Sequence, residues 1–371
     1  MKKSVLVFGF IALLIVAVGV FVGNKDFLLG EKTTLPQTST QEQVVSPQTV
    51  TVAPTTAPVT QAPATSAPAS TAPAANVTAT QAPTTKVPYS SSAPIYKNPA
   101  FKPENITGSY DETAGTYTGY KPLPTVTFRV DDPDNTRGLS TDVIGHSFGV
   151  AKDSKPHQIS IDSQNYFDKK SFNAVTYDSK SAEKVLYLTF DCGYENGYTF
   201  KVLDTLREKN VSAAFFCTLD HIKAEPELIA RMIKEGHIVG NHSTKHPNFG
   251  KISRTRMAEE IEIVENHLRT NFGYSSPYFR FPEGAYSDSA LDLVQSLGYK
   301  SVFWSLAYAD WDTSAQKGKD YAFKTVTSRL HPGAIILLHS VSADNAEALG
   351  EIIDYALSQG YVFKPLTALP K

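Results

Sequence analysis

From residue 184 onward, short apolar runs alternate with stretches in which apolar side chains recur every three to four residues. The first pattern belongs to buried strands and the second to amphipathic helices. Read in order, it predicts a strand at 185–190, a helix carrying Tyr198, Val202, Leu203 and Leu206, and a strand at 211–217. A helix through Leu228, Ile229 and Ile233 stops at Gly236, and a strand follows at 237–240. A long helix at 255–271 places Ile261, Val264 and Leu268 on one face, with Gly273 beyond its end. Strands at 278–281, 301–306, 334–338 and 361–363 then alternate with helices at 288–297, 320–329 and 343–358. Such alternation builds a parallel sheet with right-handed crossovers. Seven strands are too few for an eight-unit barrel. The fold class is therefore α/β, a distorted, incomplete (β/α) barrel of about seven strands, with an open doubly wound sheet as the alternative.

The chain upstream is of three other kinds. Residues 4–23 carry no charge and are nearly all apolar, and a helix of that length spans a bilayer core of about 30 Å. Lys2 and Lys3 precede it, so the positive-inside bias keeps the N-terminus cytoplasmic and exports the rest. Residues 1–24 are thus expected to be a transmembrane signal anchor, a cleaved signal peptide being the alternative. Residues 25–104 are expected to be a disordered linker rich in Thr, Pro and Ala, since such repeats bury too little surface to offset chain entropy. Residues 105–183 mix β-rich runs with turn clusters and are expected to form a small N-terminal extension packing on the catalytic domain at 184–371. The cluster Asp131, Asp132, Pro133, Asp134 and Asn135 lacks the spacing of a calcium loop and is expected to be a plain turn. The localisation that follows is single-pass in the cell membrane with the catalytic domain extracytoplasmic, or secreted if the first segment is cleaved.

Over the 371 residues, 35 Lys and Arg face 37 Asp and Glu, a formal charge of −2 that argues against a nucleic-acid partner. Two cysteines, Cys192 and Cys217, are too few for a disulfide scaffold. No protein partner is inferred.

Function in such folds belongs at the carboxyl ends of the strands, and the reactive residues fall there in phase. Asp191 and Cys192 follow the first strand, Cys217 ends the second, and Asn241, His242 and His246 follow the third. Arg280 lies in the fourth, Asp310 and Trp311 follow the fifth, and His339 follows the sixth. His242 and His246 have metal-ligand spacing, and two imidazoles with a third ligand leave a position open for water. His237, inside its strand, is expected to be structural. Asp191 ends an apolar strand, where a carboxylate must be used or paired. It could take a proton from water, with Arg280 fixing its orientation and charge state. His339 could protonate a leaving amine, with Asp310 holding its tautomer and raising its pKa. Backbone amides of the turn at 282–284 could stabilise an oxyanion.

These residues resemble the polysaccharide deacetylases of the NodB-homology type, carbohydrate esterase family 4. The resemblance runs from about 184 to 366, half the chain, with five motifs in order. They are Thr189-Phe190-Asp191-Cys192-Gly193, His242-Ser243-Thr244-Lys245-His246, Arg280-Phe281-Pro282-Glu283-Gly284, Asp310-Trp311 and Leu337-Leu338-His339. The resemblance implies Asp191 as base, His339 as acid supported by Asp310, Arg280 as tether of the base, and His242 and His246 on a divalent metal. Trp311 and Leu337 would line the pocket, and Tyr194 and Glu283 are placed with them as substrate-binding residues. Segments at 193–199, 310–313, 331–334 and 340–347 are similar to the muramic-acid branch that leads to δ-lactam in spore cortex peptidoglycan. The sequence departs from the family at Phe281 and Glu283 of the third motif and, more consequentially, at Cys192, which stands where a metal-binding aspartate is usual. Cys192 as a thiolate could complete a zinc site with the two histidines, the histidines could hold metal alone, or Cys192 could pair with Cys217. The function implied is hydrolytic de-N-acetylation of N-acetylmuramic acid in peptidoglycan. The alternatives are an N-acetylglucosamine deacetylase of wall glycan or chitin-like oligomers, and a non-catalytic glycan-binding module.

Overall fold

Each apolar run assigned to a strand lies in one parallel sheet of the computed structural model, which describes residues 119–181 and 183–370. The expected anchor at 1–24, the linker at 25–104 and residues 105–118 of the extension lie outside the described residues. Among the described residues no helix is long and apolar enough to cross a membrane.

The extension contributes β1 (Ile144–Gly145), α1 (Gln158–Lys170) and β2 (Ala174–Val175). There follow β3 (Val185–Cys192), α2 (Thr199–Lys209), β4 (Ala214–Cys217), α3 (Leu219–Ala224), α4 (Pro226–Lys234) and β5 (Ile238–Asn241). Next are α5 (Arg254–Phe272), β6 (Tyr278–Phe279), β7 (Ala285–Tyr286), α6 (Asp288–Ser296) and β8 (Lys300–Val302). The chain ends with α7 (Lys319–Thr327), β9 (Ala334–His339), α8 (Ala343–Ser358) and β10 (Val362–Phe363).

Around the sheet the strands run β9, β3, β4, β5, β6, β8 and β2, with β10 against the first residues of β3. All of these pairs are parallel. Beyond β8 the chain crosses back to β9, where Ser305 N–H donates to the Ile335 carbonyl (3.0 Å) and Leu337 N–H to the Leu306 carbonyl (2.9 Å). That return curls the sheet into a partial barrel, in place of the open doubly wound alternative. It also explains why β8 stops at Val302, short of the expected 306. β4 begins at Ala214 rather than 211 because Asn210, at φ 52°, ends α2 in a left-handed cap. Val211 N–H then closes that cap on the Leu206 carbonyl (2.9 Å).

Two apolar layers pack the helices onto the outside of the curl, while Tyr187, Phe216, Tyr278 and Ile335 fill its inside. One packs Val202, Leu206, Leu349 and Ile353 of α2 and α8 against Leu188 and Phe190 of β3. The other is aromatic, built on Phe167, Phe249, Phe279, Phe281 and Phe303. The extension supplies Phe167 and also β2, which pairs with β8 through Ala174 to Ser301 and Val175 to Val302. The acidic cluster at 131–135 closes on itself as a turn: the Asp132 carboxylate accepts the N–H groups of Thr136 (2.6 Å) and Arg137 (3.1 Å). His237 serves the scaffold, its Nδ1 accepting the Ala213 N–H (3.2 Å).

Candidate active site

β3 and β9 lie in register with Asp191 opposite His339, and paired positions on parallel strands direct their side chains to the same face. Both residues line a cavity of about 700 Å³ at the carboxyl ends of the strands, together with His242, His246, Trp311 and Leu337. Tyr194 and Glu283 line it as well. Arg280 and Asp310 stand behind this wall.

Arg280 is fully buried. Its Nη1 donates to Asp191 Oδ1 (2.7 Å), its Nη2 to Thr189 Oγ1 (2.9 Å) and the Phe303 carbonyl (3.1 Å), and its Nε to the Val302 carbonyl (2.9 Å). The guanidinium lies 4.2 Å from the Phe216 ring centre. That stacking needs glycine at 240, because a Cβ there would stand 2.5 Å from the Phe216 ring. Burial by itself would raise the Asp191 carboxyl, but the Arg280 guanidinium foremost, with His339, outweighs it and holds the group below the usual carboxylate value. Asp191 is therefore ionised at neutral pH.

His339 is held from the other side. Its Nδ1 donates to Asp310 Oδ1 (2.7 Å) and its backbone N–H to Asp310 Oδ2 (2.8 Å), while Asn345 Nδ2 donates to the same Oδ2 (2.5 Å). Burial pulls the imidazole pKa down, and the Asp310 carboxylate more than reverses this, so it lies above its ordinary value. The ring's Nε2 is thereby left to face the cavity. Trp311, half exposed, packs edge-on to that ring with centroids 5.8 Å apart.

The loop after β5 brings His242 and His246 together, ring centroids 4.9 Å apart. Ser243 and His246 both adopt left-handed backbone (φ 68° and 54°), conformations that non-glycine residues hold only under local constraint. The constraint is visible. Glu260, buried in α5, accepts the Thr244 N–H (2.8 Å) and the Lys245 N–H (3.0 Å), and the Ser243 hydroxyl accepts the His246 N–H (3.0 Å). His242 Nδ1 donates to the Arg280 carbonyl (2.8 Å), which fixes its tautomer and leaves the Nε2 lone pair free to bind a cation. Burial, only partly opposed by Asp191, lowers its pKa to about 4, so the ring is neutral at pH 7. Nε2 lies 3.6 Å from Asp191 Oδ2, close to the separation of two ligands each about 2.1 Å from one ion. Two neighbouring imidazoles are the donor type a divalent cation takes, and His242 and His246 would hold it.

One sequence expectation fails here. Cys192 does not join the imidazole pair. Side chains alternate along a strand, so with Asp191 turned to the cavity Cys192 turns to the opposite face of β3, where it is completely buried in the apolar layer. Of the turn at Pro282–Gly284, the amide still available is that of Glu283, a residue that lines the cavity. Pro282 has no N–H, and the Gly284 N–H is donated to the Phe281 carbonyl (3.0 Å).

The extension supplies what the motifs lack. Its strand β1 pairs with β7, and His146 and Phe148 just beyond it form one wall of the cavity. His146 Nε2 bonds the Trp304 carbonyl (2.7 Å), and Phe148 meets Trp311 edge-on at 6.5 Å. No periodicity marks these residues in the sequence; only the aromatic character of Phe148 hints at a sugar-facing role.

Residues 178–302 match the family described as polysaccharide deacetylase. The peptidoglycan-N-acetylmuramic acid deacetylase PdaA of Bacillus subtilis is 45% identical over 194 residues, 52% of this chain and 74% of that protein. The solved structure of Bacillus subtilis PdaA, a family 4 carbohydrate esterase, superposes with a TM-score of 0.60 at 40% identity, covering 62% of this chain and 98% of the other. That of a family 4 carbohydrate esterase from Bacillus anthracis gives 0.51 at 38% identity, covering 62% and 98%.

Proposed function

The chain belongs to the polysaccharide deacetylase family, and from that premise we propose that it hydrolyses the acetamide of N-acetylmuramic acid residues in peptidoglycan. The observation that carries the reading is the pairing of Asp191 and His339 across one cavity, with their proton affinities moved in opposite directions. Hydrolysis of an unactivated amide needs a proton acceptor for the attacking water and a proton donor for the departing nitrogen. Asp191, ionised and oriented by Arg280, takes the water proton as oxygen bonds to the acetyl carbon. His339, kept protonated by Asp310, gives its Nε2 proton to the nitrogen as the C–N bond breaks, so acetate and the free amine leave. His242 and His246 would hold a divalent cation, which when bound polarises the acetyl carbonyl as a Lewis acid. Cys192 has no part in that set. Trp311, Leu337 and Phe148 give the acetyl methyl and the sugar face an apolar seat, and Tyr194 and Glu283 stand at its rim.

Muramic acid is preferred as substrate on the strength of the 45% identity to the Bacillus subtilis enzyme of that name. The uncharged segment at 4–23 supports an anchored domain displayed on the outer side of the membrane, where this polymer lies. The deciding experiment is mass spectrometry of wall fragments, with and without peptide stems, after incubation with the protein. Loss of acetyl from muramic residues is expected. Loss from glucosamine residues alone would reassign the substrate, and no loss with any added divalent metal would leave a glycan-binding module.

A further inference from the structure

The two cysteines that the proposed chemistry does not use are not scattered through the core. Cys192 and Cys217 are register partners on adjacent parallel strands, so both thiols leave β3 and β4 on the same face, away from the cavity. Directly after β4, Thr218 caps α3 by accepting the His221 N–H (3.3 Å), and that single turn brings the His221 ring back over the strand ends. The two sulfurs and a ring nitrogen of His221 all lie within 4.8 Å of one another. Cys192 and Cys217 are wholly buried and His221 is 1% exposed.

What singles the cluster out is its unmet polarity. Neither Nδ1 nor Nε2 of His221 has a hydrogen-bond partner, although both atoms are shut off from solvent. A buried imidazole without partners is an unfavourable arrangement that native structures seldom keep. The thiols do little to relieve it: Cys192 Sγ meets the Ser340 hydroxyl at 3.3 Å and Cys217 Sγ a carbonyl of its own strand at 3.6 Å. One group would satisfy all three residues together. We propose that Cys192, Cys217 and His221 form a second, structural metal site that takes zinc, on the opposite face of β3 from Asp191. Two thiolates and a neutral imidazole around a divalent ion sum to zero charge, which an apolar layer tolerates. The lack of any oxygen donor in the set turns it away from calcium and magnesium and toward a borderline-soft ion. Such an ion joins β3, β4 and α3 beneath the strand tips that present Asp191 and Thr218 to the cavity. The metal site does not depend on which glycan the cavity accepts.

The test uses the full chain, purified under reducing conditions, stripped of metal and titrated with cobalt(II) alone. Thiolate ligation gives a sulfur-to-cobalt charge-transfer band in the near ultraviolet. The band is expected in the parent chain and in His242→Ala, and is expected to vanish in Cys217→Ser and to weaken in His221→Ala. Zinc retained after dialysis should fall by about one equivalent in Cys217→Ser. Because a core cysteine variant can fail to fold, zinc-dependent thermal stabilisation of the parent chain, absent in Cys217→Ala, is the parallel readout. Absence of a charge-transfer band from the reduced parent chain overturns the proposal. So does a band lost in His242→Ala but kept in Cys217→Ser, which would place Cys192 with the pocket imidazoles. Titration of the unreduced, unfolded chain that finds no free thiol, with no cobalt band after reduction, would replace the metal by a disulfide.

Discussion

Replacing Asp310 with asparagine keeps the size of the side chain, and its carbonyl can still accept the His339 N–H, but the charge beside the imidazole is removed. Nδ1 and Oδ1 are 2.7 Å apart, and Asp310 is 1% exposed while His339 is 20% exposed. With charge centres about 4 Å apart and an effective dielectric of about 20, the imidazolium loses about 4 kcal/mol of attraction. Solvent reaching His339 reduces this, so a fall in kcat/KM of about 10² to 10³ at alkaline pH is expected, within the usual range for loss of a general acid. The pH profile carries the sign. His339 must be protonated to act, and Asp310 holds its pKa above the ordinary value, so in the parent enzyme the alkaline limb lies above about 6.5. In Asp310→Asn that limb moves to lower pH, and the activity gap narrows as the buffer is made more acid, until Asp191 begins to protonate. Stability has the same sign. The contribution of the pair is complete below the unfolded imidazole value and fades as pH rises through the raised folded value. Acetate release measured from pH 5 to 9 for both proteins decides it. An unmoved alkaline limb, or a gap that widens toward acid, refutes the assignment of His339 as acid.

Asp191→Asn should lower turnover by about 10² to 10⁴ and also weaken folding by about 3 kcal/mol, because the fully buried Arg280 loses its only carboxylate partner among the described residues. Urea denaturation beside the activity assay separates the two effects, and an unchanged midpoint would mean that the carbonyl acceptors of Arg280 suffice. Phe148→Ala removes an aromatic contact worth about 0.5–1.5 kcal/mol, so KM should rise by about 2- to 10-fold with kcat little changed. A lowered kcat at constant KM would take Phe148 out of substrate binding. Glu260→Ala strips two N–H groups of their buried acceptor and should loosen the His242–His246 loop, weakening zinc affinity by about 10- to 100-fold. Calorimetric zinc titration reads that change, and parent-like affinity would show that the loop holds its shape unaided.

The strand tips were legible because apolar runs such as Leu186 to Phe190 end abruptly in a charged residue, and the curl of the sheet then carries Asp191 and His339 to one place. The supports were legible too, Arg280 and Asp310 being charges at the ends of apolar segments. Cys192 is more instructive. Strand alternation alone puts it on the face opposite Asp191, yet its place in a motif drew it toward the metal set, and the alternation proved the better guide. The wall built by His146 and Phe148 left no periodic signal, since two-residue strands have no period to detect and the contact spans well over a hundred positions of sequence. The short β4 has a local cause, the left-handed Asn210 cap, which an apolar count passes over.

The parallel pairing of β2 with β8 bears on how the molecule can be cut. A fragment begun at residue 178, where the family match starts, would strip β8 of a neighbour, take Phe167 from the aromatic layer and open one side of the glycan seat. Bare strand edges recruit other chains, so that fragment should precipitate where one begun ahead of residue 119 stays monodisperse. Domain swaps between relatives should therefore exchange the upstream segment together with the motif-bearing half, or graft neither.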